Sequence, residues 1–287
     1  MGINALLQKA QHGELDACAI CPWSPKVAGK MAFGVSCNEH GINWEKDETA
    51  TSMIILQDPG GTTPERTGRL CTVHNSKNQS DKTAQQGLDL WKAAVSLDFS
   101  SAETGGFLRH HYWTNATMHG ASKNKNPELA KQSIKENARS ACNKVLEDQI
   151  KLIKPKVIIA GGVPAVRSLN EIKLLNKKWD KLKSSFIDGV YKYEIFNWHG
   201  NSNMITVFCT YHTSATAVNT HCASRYRRNI TEKSIVDKAA NLPHKHSVIN
   251  FLEKYNNVDA NDRDKGMRYL LNHWLDIGST IREIIIT

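Results

Sequence analysis

An aspartate that directly follows a short apolar run is the first residue whose position suggests chemistry. The run Met53-Ile54-Ile55-Leu56-Gln57 has the length of a strand buried on both faces, although a buried helical turn has the same pattern. Pro59 lacks a backbone N–H and Gly60 tolerates positive φ, so the chain turns immediately after Asp58. A carboxylate at the end of a central strand lies where open α/β sheets bind ligands. Taken alone, the same residues also fit an ordinary turn.

Three more short strands are predicted, and each ends at a polar residue or a glycine pair. Helical patterns occur between them, and residues 191–196 fit one further strand. Alternation of strands and helices predicts an α/β fold with three layers, in which helices cover a mostly parallel, four-stranded sheet. The polar strand ends should then line one edge of the sheet. The three strands are 109–115, 156–160 and 205–210, ending at Asn115, at Gly161-Gly162 and just before His212; the helices are 1–17, 83–98, 128–153 and one from Pro164.

The chain divides into one large domain and a helical tail. Residues 1–235 contain all the predicted strands and are assigned to the α/β/α domain. Residues 236–287 carry apolar stripes at helical spacing and are assigned to a C-terminal helical extension that packs on that domain.

Composition and charge narrow the class of protein. The 287 residues are 40% hydrophobic and 23% charged, and no apolar run reaches membrane-spanning length. The formal net charge of +9 favours a polyanionic partner, most often nucleic acid. We expect a cytoplasmic monomer without membrane contact, in which the seven cysteines are thiols or ligands rather than disulfides.

Cys18 and Cys21 form a CxxC sequence followed by proline. Two thiolates at this spacing can bind one metal ion, but the pair also fits a redox site or an incidental arrangement. Cys142 lies on the apolar stripe of a predicted helix, where it fits either a ligand or a buried core thiol.

Four segments, which follow one another along the chain in the same order as in that family, resemble the uracil-DNA glycosylase superfamily. The resemblance is closest to its iron–sulfur-containing branch. The resemblance covers residues from about 15 to 230. Gln57-Asp58-Pro59 is similar to the water-activating loop, and Thr210-Tyr211-His212-Thr213-Ser214-Ala215 is similar to the His-Pro-Ser-Ala motif with Thr213 in place of proline. The other two segments are Tyr112-Trp113-Thr114-Asn115, similar to the strand with the base-recognising asparagine, and residues 149–162, similar to a helix–strand–glycine segment.

The resemblance implies a DNA glycosylase that acts on a flipped-out base in double-stranded or single-stranded DNA. Asp58 would hold a water and stabilise the positive sugar, while His212 would donate a hydrogen bond to the departing base. Asn115 and Gln57 would contact the base. The residues expected to contact DNA are Gly161, Gly162 and Ser214 through backbone N–H groups, Val218 as a wedge, and Arg225, Arg227 and Arg228, although these arginines equally fit a solvated helix face.

Two departures from the family pattern predict a larger base. Gly60 replaces a tyrosine that closes the space beside C5 in uracil-specific members, and no phenylalanine occurs between residues 34 and 98 to stack on the base. The polar loop 62–80, with Cys71 and His74, could then receive a hydrophilic substituent. The expected substrate is therefore a bulky C5-modified pyrimidine, such as the glucosylated 5-hydroxymethylcytosine of phage DNA. The protein would then have an antiviral role.

Other interpretations remain open at this point. Phe99 or Phe107 could supply the stacking ring, which would favour ordinary uracil removal in repair. The chain could also be a non-catalytic nucleic-acid-binding module, or His212 could capture the abasic sugar covalently.

The iron–sulfur branch also implies a four-ligand metal site. Cys18, Cys21 and Cys142 match three of the family's cysteines, and the fourth position falls near His119, with Cys37 as the other candidate. The expected cofactor is a 4Fe-4S cluster, with zinc or no metal as alternatives.

Overall fold

Five strands form the principal sheet, in the order β3-β2-β5-β7-β6. β2 (Ser52–Leu56) pairs in parallel with β3 (His111–Asn115) on one side and β5 (Val157–Gly161) on the other. β6 (Tyr191–Ile195) pairs antiparallel with β7 (Ile205–Thr210) and forms the edge. β1 (Ala32–Phe33) and β4 (His119–Gly120) form a separate antiparallel pair. The predicted α/β class with a mostly parallel sheet is confirmed, and so is a strand over 191–195.

The computed structural model describes residues 1–29, 32–33, 52–57, 82–95, 111–120, 127–175, 191–195, 205–214, 217–224, 226, 232–258 and 261–286. Among the described helices, none has both the length and the apolar character needed to cross a membrane. The described helices are α1 (Ile3–Gln11), α2 (Asp16–Ala19), α3 (Pro25–Ala28), α4 (Lys82–Ala94), α5 (Gln132–Ile153), α6 (Val163–Glu171), a π-helix (Ala217–Cys222), α7 (Glu232–Ala239), α8 (Lys245–Lys254) and α9 (Asp262–Ile286).

The helix ends are set by residues with special backbone angles. The helix predicted over 1–17 is interrupted, because Gly13 takes the left-handed conformation at φ 68°, and α2 starts afresh at Asp16. Helix α5 ends at Lys154, which is left-handed at φ 51° and precedes Pro155. Gly162 precedes α6 at φ 94°, and Pro164 occupies its first turn, where a missing N–H costs nothing.

The chain forms two compact units. The first comprises Met1–Cys71, Leu108–Ile187 and Tyr191–Cys209. Its core includes β5, which is buried throughout, and β2, in which every residue but Leu56 is buried. Arg139 of α5 makes a paired contact with Glu171 of α6, with nitrogen–oxygen distances of 2.8 and 2.7 Å. These two helices are thereby fixed to each other.

The second unit comprises Thr72–Phe107, Asp188–Val190 and Thr210–Thr287. Its longest helix, α9, contacts α4, α7 and the π-helix. Trp91 of α4 meets Trp274 of α9 edge to face, with ring centroids 5.8 Å apart. The C-terminal helices are therefore confirmed, and they pack with segments that precede residue 235 in the sequence. The division of the chain at residue 235 stays a prediction.

Candidate active site and thiol pocket

The carboxyl ends of three parallel strands are level with one another. Leu56 of β2 lies opposite Asn115 of β3, and Ile55 lies opposite Ala160 of β5. Beyond the strand ends, the Thr117 N–H donates to the Gln57 carbonyl at 3.1 Å. The fold therefore brings the ends of β2, β3 and β5, with Gln57, Asn115 and Gly161, to one edge of the sheet, as was predicted for these three of the four strands. Their roles toward a base or phosphate stay predictions.

Asn115 belongs to a strand that is tied to helix α5 by a buried glutamine. Gln149 Oε1 lies 2.9 Å from both Tyr112 Oη and Thr114 Oγ1, and its Nε2 lies 3.4 Å from Met118 Sδ. Gln149 is fully buried, and Asn115 is only 2% exposed. The sequence reading did not single out Gln149 as a functional residue. The available signal was a lone amide on the apolar stripe of α5.

Several predicted site residues lie outside the described residues. They are Asp58, Gly60, Cys71 and His74 of the predicted base site, the phosphate candidates Arg225, Arg227 and Arg228, and the alternative ligand Cys37.

His212 lies two residues after β7, in a loop whose backbone determines which ring nitrogen carries the hydrogen. The Ser214 backbone N–H donates to His212 Nδ1 at 3.0 Å. Nδ1 is therefore an acceptor, so the neutral ring carries its hydrogen on Nε2. His212 can then donate a hydrogen bond through Nε2 while remaining uncharged.

Two predicted DNA contacts in this loop do not fit the structure. Ser214 was expected to offer its backbone N–H to a phosphate, but that N–H is bonded to His212. Val218 was expected to act as a wedge between bases, but its side chain is fully buried. A wedge must be exposed to enter DNA, so Val218 serves packing in this structure.

The four predicted metal ligands line one small pocket, which we call the thiol pocket. Its walls include Cys18, Cys21, His119 and Cys142, together with Met118 and the apolar side chains Ala10, Ala17, Ala141 and Val145. The turn between Cys18 and Cys21 is closed by a backbone bond of 3.3 Å from Cys21 N to Cys18 O. α5 supplies Cys142, and β4 supplies His119, which is paired with Phe33 of β1.

The thiols and the imidazole of the pocket have shifted pKa values. A hydrogen bond from Cys142 lowers the pKa of Cys21 to about 7, and the same bond raises that of Cys142 well above its usual value. Burial raises the pKa of Cys18. Burial lowers the pKa of His119 to about 4, against the effect of a hydrogen bond with the Gln11 backbone. The pocket therefore contains a neutral imidazole and one thiol that ionises readily.

These donors fit a metal by type but are not yet arranged around one. Three thiols and an imidazole are the ligand types of zinc and iron–sulfur sites, and a backbone bond to a ligating histidine is a common way to orient it. Within the described residues, however, no group of three or more His, Cys, Asp or Glu side chains is arranged to hold an ion. Coordination would require these side chains to reorient within the pocket.

The family model of the uracil DNA glycosylase superfamily matches residues 44–233. That range includes the strands β2 to β7 and the segments that carry Asp58, Asn115, Gly161 and His212. The chain belongs to this superfamily. The chain matches none of the curated proteins with which it was compared.

Membership of this superfamily implies a DNA glycosylase, a hydrolase that acts on N-glycosidic bonds in DNA. Two parts of the molecule lie outside the matched range. One is the CxxC segment with Cys18 and Cys21, and the other is the C-terminal part from residue 234, including α8 and α9. The family match therefore does not account for the first two thiols of the pocket or for the last helix.

Proposed function

We propose that this superfamily member removes a flipped-out pyrimidine with a bulky C5 substituent from DNA, leaving an abasic site. Glucosylated 5-hydroxymethylcytosine of phage DNA is the substrate that we favour, in an antiviral role within the cytoplasm. The observation that carries the reaction is the bond from Ser214 N–H to His212 Nδ1, since it leaves an Nε2–H donor in the family's histidine motif.

Bond cleavage needs an anion beside the sugar and a donor beside the base. As the C1′–N bond breaks, its electron pair stays with the base and positive charge develops on the deoxyribose. Asp58 would stabilise that charge, orient a water toward C1′ and accept its proton. His212 would hydrogen-bond the base oxygen on which negative charge collects. The solvent then protonates the released base.

The choice of base rests on the sequence departures. Gly60 in place of tyrosine, and the lack of phenylalanine between residues 34 and 98, would leave room beside C5. Asn115 offers a donor and an acceptor together, which suits the Watson–Crick edge of a pyrimidine.

The test uses matched oligonucleotides with a single uracil, cytosine, 5-hydroxymethylcytosine or glucosylated 5-hydroxymethylcytosine, in single strands and duplexes. Alkali-labile sites report abasic DNA, and mass spectrometry identifies the released base. We expect release of the glucosylated base. Release of uracil alone would contradict the proposal of a modified base as substrate and would favour a repair enzyme. DNA binding without any base release would favour a non-catalytic binding module.

Active-site variants separate catalysis from folding. Asp58→Asn should lower the rate by about 10²- to 10⁴-fold and leave DNA affinity nearly unchanged. Asp148→Asn is the matched control, because Asp148 forms an exposed ion pair with Lys144 on α5. A denaturing gel distinguishes hydrolysis from covalent capture, since capture by His212 would shift the protein band.

We also propose that the thiol pocket holds a 4Fe-4S cluster or a zinc ion, with Cys18, Cys21, His119 and Cys142 as ligands. The metal would stabilise the fold by joining α2, β4 and α5, and it takes no part in the reaction. The support is that four donors suited to these metals line one pocket.

Metal analysis of protein purified without oxygen tests this site. We expect iron and sulfide, or zinc, in the native protein and a loss of metal in Cys142→Ala. Cys209→Ala is the matched control, because Cys209 is equally buried but lies on β7. His119→Cys should retain metal with an altered absorption spectrum if position 119 is the fourth ligand. Absence of both iron and zinc would reject the site.

A further inference from the structure

The last helix, α9, contacts the segment that carries His212, although it lies outside the residues matched by the family. We propose that α9 is a positioning element for His212 and acts through Gly266 and Tyr269. These two residues are three apart and so lie on the same face of the helix. The proposal concerns the second unit alone, and its relevance to catalysis rests on the proposed function.

Gly266 allows the helix backbone to approach the π-helix closely. A Cβ atom at position 266 would overlap the Val218 carbonyl oxygen and would lie 2.8 Å from both Val218 C and Val218 Cγ1. Real Cβ atoms do not approach backbone atoms so closely, so any larger residue must displace the backbone at Val218. This contact explains why Val218 is fully buried.

Val218 is connected to His212 by two hydrogen bonds, one between backbone groups and one from a backbone N–H to the histidine ring. The Val218 N–H donates to the Ser214 carbonyl at 2.9 Å, and the Ser214 N–H donates to His212 Nδ1 at 3.0 Å. The Ala217 N–H also lies 3.4 Å from Ser214 Oγ. A displacement at Val218 therefore moves Ser214 and disturbs the bond that keeps the hydrogen of His212 on Nε2.

Tyr269 contacts the residue that precedes the histidine in sequence. Its ring packs edge to face against Tyr211, with centroids 6.2 Å apart, and Tyr211 directly precedes His212. Both tyrosines are buried, at 4% and 8% exposure. Helix α9 thus supports the loop immediately before His212 and again six residues later, on either side of the Ser214 bond.

The decisive comparison is between two glycine-to-alanine changes on the same helix. Gly266→Ala strains the π-helix, whereas Gly278→Ala strains the end of α4, where a Cβ atom would lie 2.6 Å from Ala94 C. The first readout is the ring-nitrogen NMR spectrum of His212, assigned by comparison with His212→Gln. We expect the Nε2–H tautomer in the native protein and in Gly278→Ala, and a mixture of tautomers in Gly266→Ala.

The second readout is base release from whichever oligonucleotide probe the native protein cleaves. We expect Gly266→Ala to lower kcat by about 10- to 100-fold with KM nearly unchanged, and Gly278→Ala to keep the native kcat. If Gly266→Ala does not fold, Tyr269→Leu is measured in the same way. A native tautomer in Gly266→Ala and Tyr269→Leu, or an equal change in Gly278→Ala, would overturn the proposal. A native protein that cleaves no probe rejects the proposed function, while the tautomer measurement still tests the positioning.

Discussion

The thiol pocket and the His212 loop control their titratable side chains by different means. In the pocket, the Cys142 side chain donates to Cys21, and burial lowers the pKa of His119. In the loop, the backbone acts, because the Ser214 N–H determines which ring nitrogen of His212 carries the hydrogen. The pocket should therefore respond mainly to changes of side chain, and the loop mainly to displacements of the backbone.

The largest expected effect is at the buried amide that supports Asn115. Gln149→Leu would remove the Oε1 acceptor that the Tyr112 and Thr114 hydroxyls share, at a cost of about 2–5 kcal/mol in the free energy of unfolding. Denaturant titration measures the loss. Gln132→Leu on the exposed face of the same helix should change stability by less than about 0.5 kcal/mol. Equal effects in the two variants would contradict this role for Gln149.

In the second unit, a buried arginine caps the end of α8. Arg268 donates to the Tyr255 carbonyl at 2.6 Å and to the Leu252 carbonyl at 2.9 Å, and it also pairs with Glu232. Arg268→Met should cost about 2–4 kcal/mol, because both carbonyls lose their donor. Lys233→Met, which removes only an exposed ion pair, serves as the control and should be close to neutral. Thermal or denaturant unfolding distinguishes them.

A smaller effect is expected beside the thiol pocket. Trp23 Nε1 donates to the Leu129 carbonyl at 2.8 Å, which ties the CxxC turn to the segment before α5. Trp23→Phe should cost about 1–2 kcal/mol and, if the proposed metal is bound, should speed its release to a chelator. Trp274→Phe, at an equally buried position of the second unit, should lower stability without changing metal release. Identical release rates in Trp23→Phe and the native protein would show that the bond from Trp23 to the Leu129 carbonyl does not affect metal binding in the thiol pocket.

The smallest effect is a dependence of stability on pH. Burial, and then the charge of Arg282, lowers the pKa of His244, whose Nε2 lies 3.2 Å from the Ala94 carbonyl. The unfolded chain therefore binds a proton more readily, so stability is lost as the pH falls below about 6.5. His244→Gln should lose less stability than the native protein between about pH 7 and pH 5. Parallel unfolding curves for the two proteins would contradict this assignment.

Much of the fold was predictable because local patterns specify it. Strands β2, β5 and β7 are short runs of apolar residues bounded by turn residues, and such runs form buried strands wherever they pack. The helix predicted over 1–17 was wrong in its length, because Gly13 takes a backbone conformation that its neighbours do not reveal. The thiol pocket was anticipated through the family resemblance, whereas Gln149 was missed because an amide on an apolar stripe has no unique meaning in sequence.

By itself, the sequence determined which side chains are available for chemistry and that parallel strands bring Gln57, Asn115 and Gly161 to one edge. It did so because strand length and turn residues depend on neighbouring residues along the chain, and because alternating strands and helices favour parallel pairing. Only the tertiary structure showed that the Ser214 N–H donates a hydrogen bond to His212 and that Val218 is buried. It also showed that Gly266 lies close to the Val218 backbone. The burial of Val218 and the close approach of Gly266 depend on contacts between segments far apart in sequence, which neighbouring residues along the chain do not reveal.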